Sequence, residues 1–349
     1  PFVPGTGTLA PGEAGIRQAL EFGRKAGYPI MLKASLGGGG RGIRRVESEA
    51  DLLMQLPVAR TEAKSAFNDD SIYVEKCIEA PRHVEVQILA DTHGNVIHLG
   101  TRDCSIQRRH QKLLEIAPAE LPKDVLERMY EAAVAAAKGS HYVNAGTVEF
   151  LVDSKTNDFW FMEVNTRLQV EHTVTEELTG VDIVRQQIRI ARGEKIDIPA
   201  ERVHMMGKAV QVRINAEDPK NNFMPEGGKT VEVYHSPGGP GIRLDGLVYQ
   251  GYKIPTEYDS LMVKLTCRGY DWNETIDRLK RALLGFNIVG PKTTIPFYLA
   301  ICDEPDFRAG RFDTGYIESH PEIFDYPETE REVAKLAKLI AEIHVKKIN

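Results

Sequence analysis

The chain has 349 residues, 42% of them hydrophobic and 27% charged, a balance that excludes an intrinsically disordered chain. That length suits about two domains with a large buried core. With 44 Lys and Arg against 50 Asp and Glu, the net charge of −6 gives no global field for nucleic acid or an anionic membrane, so any anion site must be a local cluster. The longest alanine-rich apolar run, 132–137, falls far short of a bilayer span. Four widely spaced cysteines (Cys77, Cys104, Cys267 and Cys302) form no CxxC, against a disulfide framework or a zinc site and for a reducing compartment. No signal peptide is visible, and a start at Pro1-Phe2-Val3 without Met reads as the loss of an upstream segment.

In chain order, Ile16, Ala19, Leu20 and Gly23 mark a helix over 13–26, closed by Gly27-Tyr28-Pro29. A strand follows at 29–34, a glycine loop at 37–42, a short strand at 43–46 and a helix at 48–56 with Ser48 as its cap. In 82–90, Val84, Val86 and Ile88 alternate with His83, Glu85 and Gln87, the pattern of a half-buried strand with one polar face. A turn at 91–95 and a return strand at 96–99 come next, then a helix over 123–138. Strands at 147–152 and 158–165 precede a helix near 182–192 capped by Asp182. Beyond His204 the pattern is strand-rich (208–214, 229–234, 261–266), with a helix near 273–284, a loop at 236–241 and an amphipathic helix at 328–347. The whole reads as α+β with mostly antiparallel sheets.

Gly37, Gly39 and Gly42 fit the G-x-G-x-x-G spacing, but they lead into a strand, Ile43-Arg44-Arg45-Val46, where a dinucleotide site needs a helix. Walker A also fails, because Lys33 precedes the glycines. What remains is a hairpin tip whose bare N–H groups can close over phosphates, with Lys33 on the strand beneath. An ordinary flexible loop fits the same residues.

A polar turn near Thr156 separates two strands, and symmetric pairing about it sets Glu149 opposite Glu163 on one face. Like charges so placed repel, and a divalent cation is the simplest compensation. Asn165 and Arg167 share the face of Glu163 by the strand period of two. An all-oxygen set of Glu149, Glu163 and Asn165 suits Mg²⁺ or Mn²⁺ rather than zinc. A solvated hairpin edge remains the competing reading.

The run Gln107-Arg108-Arg109-His110-Gln111-Lys112 concentrates positive charge in an acidic chain, although charge runs are usually solvated turns. The stretch 163–176 crowds Glu163, Asn165, Arg167, Gln169, Glu171 and His172 beyond a strand end, offering metal ligand, anion clamp and base together. A structural ion-pair network would use the same residues. Arg213 shares the polar face of strand 208–214 with Gln211, where a surface ion pair is the commonest role.

The runs KASLGGGGRG, VEKCIEAPRHVEVQ, RDCSIQRRHQK, AGTVEF, FMEVNTRLQVEHTVTE and VRINAED, in order over residues 4–317, resemble the biotin carboxylase component of biotin-dependent carboxylases. The resemblance implies an ATP-grasp fold: a glycine-rich lid subdomain at 1–77, a core at 78–202 and a C-terminal biotin carboxylase domain at 203–318, while the amphipathic helix at 328–347 extends past the family's usual end. The family's N-terminal Rossmann-like lobe has no counterpart in these residues, which implies a fragment, a partly ordered form or a divergent one. Thr314-Gly315-Tyr316 stands where some members carry a His beside adenine.

By the same resemblance, Lys33, Gly39 and Gly40 hold ATP phosphates, while Glu75, Lys76, Ile78 and Leu151 form the adenine side. His83, Gln107 and His110 lie near the nucleotide, and Glu149, Glu163 and Asn165 hold Mg²⁺ or Mn²⁺. Lys112, Arg167, Gln169 and Val170 form the bicarbonate site. Glu171 is the base, and Arg213 stabilises the biotin enolate. The implied reaction is ATP- and bicarbonate-dependent carboxylation of biotin on a carrier protein through carboxyphosphate, the first half-reaction of a pyruvate or acyl-CoA carboxylase. Implied partners are the biotin carboxyl carrier protein, a carboxyltransferase subunit and a second copy or larger complex, in the cytoplasm or the mitochondrial matrix. A carbamoyl phosphate synthetase-like ligase and a non-catalytic scaffold are the competing functions.

Overall fold

A computed structural model describes residues 1–37, 42–109, 111–199, 203 and 205–327. Gly39, Gly40, His110 and the helix expected at 328–347 lie outside the described residues. The first unit is a three-stranded sheet of β1 (Ile30–Ala34), β2 (Ile43–Val46) and β3 (Ile72–Lys76), with β1 in the middle. Helices α1 (Gly12–Ala26) and α2 (Glu49–Phe67) complete it. Alternation along β1 buries Ile30, Leu32 and Ala34 against Leu52, Leu56, Ile72 and Val74, which leaves Lys33 on the opposite face. Ser48 caps α2 as expected, its Oγ accepting from the Asp51 N–H at 3.2 Å. The helix does not stop at 56. Pro57 is exposed on the solvent side of the helix, and Leu52, Leu56, Ala59 and Ala63 keep one buried stripe across it.

The second unit is built on β4 (Pro81–Ala90), β5 (Val96–Asp103), the short pair β6 (Gln107–Arg108) and β7 (Gln111–Lys112), β8 (Leu114–Ala117), β9 (Asn144–Asp153), β10 (Phe159–Asn165) and β11 (Lys208–Asn215). Beyond them come β12 (Glu217–Asp218), β13 (Met224–Pro225), β14 (Val233–His235), β15 (Ile242–Gly246), β16 (Leu261–Gly269) and β17 (Asn287–Val289). Eight of these form one sheet in the order β10-β9-β4-β5-β8-β11-β16-β15. Its pairings are antiparallel throughout, so the α+β reading holds. The sheet is continuous across residue 203, with β8 of the first half paired to β11 of the second.

Helix α3 (Lys123–Gly139) packs Val125, Met129 and Ala133 onto Val84, Val86 and Val148. Helices α4 (His172–Thr179) and α5 (Ile183–Ala191) follow β10, and Asp182 caps α5 as expected, accepting from the Arg185 N–H at 2.8 Å. Helix α6 (Trp272–Leu284) buries Ile276 and Leu279 in the C-terminal core with Phe297 and Tyr298 of α7 (Ile295–Asp303). The four cysteines are buried free thiols.

Two expectations are corrected here. Strand β4 is not half-solvated: His83, Glu85 and Gln87 are 7%, 0% and 0% exposed, because Arg102, Lys112 and α4 cover the polar face. The strand expected at 229–234 shrinks to Val233–His235. Residues 229–231 bond instead to the loop at 251–254, with Val231 N–H donating to Tyr252 O and Ile254 N–H to Lys229 O, each at 2.8 Å.

Candidate active site

Cross-strand register assembles the site. Glu163 on β10 lies opposite Glu149 on β9, Glu149 opposite Glu85 on β4, and Glu85 opposite Arg102 on β5, one row across four strands. The Glu163–Glu149 pairing is the one expected from the turn centre, and a register shift between Phe161 and Glu163 makes it possible. Near the turn Phe159 faces Val152, a register that would set Met162 against Glu149. The bulge moves Glu163 into that place.

Three adjacent carboxylates on one face repel, and the ammonium of Lys112 meets that charge. Its Nζ donates to Glu85 at 2.6 Å, to Glu149 at 2.8 Å and to Glu171 at 2.8 Å. Part of the compensation assigned to a divalent cation is therefore supplied by this lysine. Burial works against the Lys112 charge, but the acidic groups around it outweigh burial and hold its pKa well above the usual lysine value. For Glu149, burial is outweighed by His83 and Lys112, and its carboxyl lies below the ordinary range. His83 Nε2 stands 3.1 Å from Glu149 Oε2, off the line of a hydrogen bond. Glu85 is likewise held low, since Arg102 and Lys112 outweigh its complete burial. In Glu115 burial wins over Arg213, and its carboxyl is raised.

Glu171 sits at the N-terminal end of α4 and spans two cations. Oε1 takes Lys112, and Oε2 takes Arg213 NH2 at 3.2 Å. Arg213 is oriented from behind by Glu115 Oε1, which accepts from its Nε at 2.9 Å and its NH2 at 2.6 Å. Arg167 donates to Gln169 Oε1 at 2.9 Å, and Gln169 Nε2 reaches Glu149 Oε1 at 3.3 Å. The Val170 carbonyl accepts from Lys264 Nζ at 3.2 Å. Gln107 pairs with Lys112 across β6 and β7, and Leu151 with His83 across β9 and β4.

One network thus joins His83, Lys112, Glu149, Gln169, Arg167, Glu171 and Arg213. Lys33 and Glu75 form their own ion pair at 2.5 Å on the three-stranded sheet, and Lys76 donates to Gly27 O at 3.0 Å. Ile78, half-buried, lies where the chain leaves that sheet for β4. Glu163 is exposed and has no ion pair among the described residues, and Asn165 Nδ2 is 3.5 Å from its Oε1. Two carboxylates and an amide oxygen on neighbouring strand positions fit a hard divalent cation. Tyr316, in the position where some members carry a His, is buried and donates to Glu304 Oε2 at 2.7 Å.

Sequence reasoning missed Glu85, Arg102 and Glu115. Glu85 was visible only as one polar position in an alternating strand, and its neighbour Glu149 is 64 residues away in sequence, beyond the reach of a turn argument.

Residues 3–198 match the family described as carbamoyl-phosphate synthase L chain, ATP binding domain, and residues 211–319 match the biotin carboxylase C-terminal domain. A biotin carboxylase of Nostoc sp. is 49% identical over 91% of this chain and 70% of its own. The chain belongs to the biotin carboxylase family. It is also 46% identical to a pyruvate carboxylase of Bacillus subtilis over 99% of this chain, but it spans only 30% of that longer protein. Among solved structures, the biotin carboxylase domain dimer of Hydrogenobacter thermophilus 2-oxoglutarate carboxylase, in complex with MgADP, ADP and bicarbonate, matches with a TM-score of 0.87. The two are 47% identical, over 94% of this chain and 72% of that one. The fold is therefore the ATP-grasp biotin carboxylase fold expected from the sequence motifs.

Proposed function

We propose that this biotin carboxylase chain uses ATP and bicarbonate to carboxylate N1 of biotin on a carrier protein, through carboxyphosphate. The observation that carries this reading is Glu171, held with one carboxylate oxygen on Lys112 and the other on Arg213. That arrangement sets a base between a cation for the entering anion and a cation for the acceptor. All three Lys112 protons are engaged by carboxylates, so bicarbonate takes over one of these donors on entry. Arg167, Gln169 and the backbone at Val170 complete the anion clamp. Glu171 removes the bicarbonate proton, the freed oxygen attacks the γ-phosphorus, and ADP leaves. Carboxyphosphate then breaks its C–O bond to give CO₂ and phosphate, the phosphate takes the N1 proton of biotin, and Arg213 stabilises the negative charge on the ureido oxygen as N1 bonds CO₂.

Glu149, Glu163 and Asn165 would hold a divalent cation, which neutralises polyphosphate charge when bound. Lys33, Gly39, Gly40, His83, Gln107 and His110 act on the nucleotide, with Glu75, Lys76, Ile78 and Leu151 on its adenine side. Closing a glycine lid would keep water from carboxyphosphate. The match at 211–319 favours this reading over a carbamoyl phosphate synthetase-like ligase. The reading divides the chain into a lid at 1–77, a core at 78–202 and a C-terminal domain at 203–318, the last supported by the match at 211–319. A homodimer, a carrier protein and a carboxyltransferase that selects pyruvate or an acyl-CoA are the partners of the reading, in the cytoplasm or mitochondrial matrix.

Arg213→Ala tests it. The variant is expected to keep nucleotide affinity, read by calorimetry, and to lose transfer of labelled bicarbonate to biotin. Loss of both together would contradict the role given to Arg213.

A further inference from the structure

One fully buried charge has no part in the reaction described so far. Arg102 is 0% exposed, and its guanidinium meets four side chains on three elements. Nε donates to Glu85 Oε1 at 2.5 Å, NH1 to Gln87 Oε1 at 2.8 Å and to Thr175 Oγ1 at 2.9 Å, and NH2 to Thr147 Oγ1 at 3.2 Å. The two arms that matter lead to the site. Glu85 shares its second oxygen with Lys112, so Arg102, Glu85 and Lys112 form one chain of charge-assisted bonds. Thr175 lies in the first turn of α4, which begins directly after Glu171.

The same turn is tied from the other half of the sheet. Thr173 Oγ1 donates to Gln211 Oε1 at 2.5 Å and lies 2.7 Å from Thr266 Oγ1. Gln211 in turn donates to Glu115, the partner of Arg213. Helix α4 is thus pinned at Thr173 toward Arg213 and at Thr175 toward Lys112.

We propose that Arg102 is a positioning residue of the carboxylation site: from the neighbouring strand β5 it holds Glu85 against Lys112 and, through Thr175, holds the first turn of α4 where Glu171 spans Lys112 and Arg213. A hydrophobic residue could fill the space. A guanidinium with donors aimed at two strands and a helix sets distances, which an ammonium with a single point charge does not. This inference rests on the reading of Lys112 and Glu171 as the reacting pair.

The test uses Arg102→Lys, Arg102→Met and Thr175→Val in the intact polypeptide, with free biotin, bicarbonate and ATP. Arg102→Lys keeps the charge but not the fork, and kcat is expected to fall about tenfold or more with the KM for ATP within about twofold. Thr175→Val cuts only the arm to α4 and keeps Glu85 paired, so it should lower kcat severalfold with the same unchanged KM. Arg102→Met should lose more than either. If the Arg102 variants do not fold, Thr175→Val decides alone. Variants that keep wild-type kcat, or whose kcat and ATP KM worsen together, would overturn the proposal. Wild-type turnover indifferent to bicarbonate and biotin would instead remove the underlying reading, and this inference with it.

Discussion

Lys112 meets three carboxylates with one ammonium, and its side chain is nearly enclosed. Removing one partner from a buried ion pair costs about 3–5 kcal/mol, because the remaining charge stays in a poorly solvated place. Lys112→Met should therefore lower the unfolding free energy by about that amount in urea titrations, and turnover should vanish with it. The carboxylates give a pH prediction as well. Glu85 and Glu149 are held below the ordinary carboxylate range, so their contribution is complete above the unfolded value and is lost as pH falls through their folded values. Glu115 is raised by burial and works in the opposite direction, favouring the folded state as it takes up a proton. Since the two lowered groups titrate between the unfolded value and their lower folded values, the melting temperature should fall as pH drops below about 4.5, and Glu149→Gln should flatten that fall. An identical slope in the variant would show that Glu149 is not among the groups responsible.

At the scale of elements, capping chemistry and glycine geometry make separate claims. Asp271 accepts from the Glu274 N–H at 2.9 Å, and Glu274 reaches back to the Tyr270 N–H at 2.7 Å, so α6 starts on two reciprocal side-chain bonds. Asp271→Ala should cost about 1 kcal/mol in urea unfolding, and biotin-dependent turnover should stay at the wild-type rate because α6 packs away from the charged cluster. Gly42 has φ +76°, and a Cβ there would stand 2.8 Å from the Ala34 Cβ. Its carbonyl accepts from the Ala34 N–H at 2.9 Å, fixing the base of the glycine loop onto β1. Gly42→Ala is thus expected to raise the KM for ATP severalfold, measured in steady state, with a smaller effect on bicarbonate. Helix starts at Ser48 and Asp182, the β9–β10 pairing and the alternation in β11 were legible because each is local. Helix α4 was not: Thr173, Val174, Thr175 and Thr179 are β-branched, and packing rather than propensity makes it helical. The burial of the polar face of β4 was hidden for a different reason, since Arg102, Lys112 and α4 reach it from other parts of the chain.

Across the whole molecule, the site belongs to one continuous sheet rather than to either sequence half. Glu85, Glu149 and Glu163 come from strands before residue 203, while Arg213 comes from β11 after it, and Glu171 bridges the two groups from α4. Sequence motifs named most of these residues singly, whereas their order in space required the strand sequence β10-β9-β4-β5-β8-β11, which no local pattern encodes. No helix among the described residues is long and apolar enough to cross a membrane. The most direct measurement is bicarbonate-dependent ADP release by the intact polypeptide, with and without free biotin, in wild type and in Glu171→Ala. The predicted result is a rate that biotin stimulates and that Glu171→Ala abolishes. ATP turnover indifferent to biotin, or a Glu171→Ala variant at the wild-type rate, would contradict the carboxylase site.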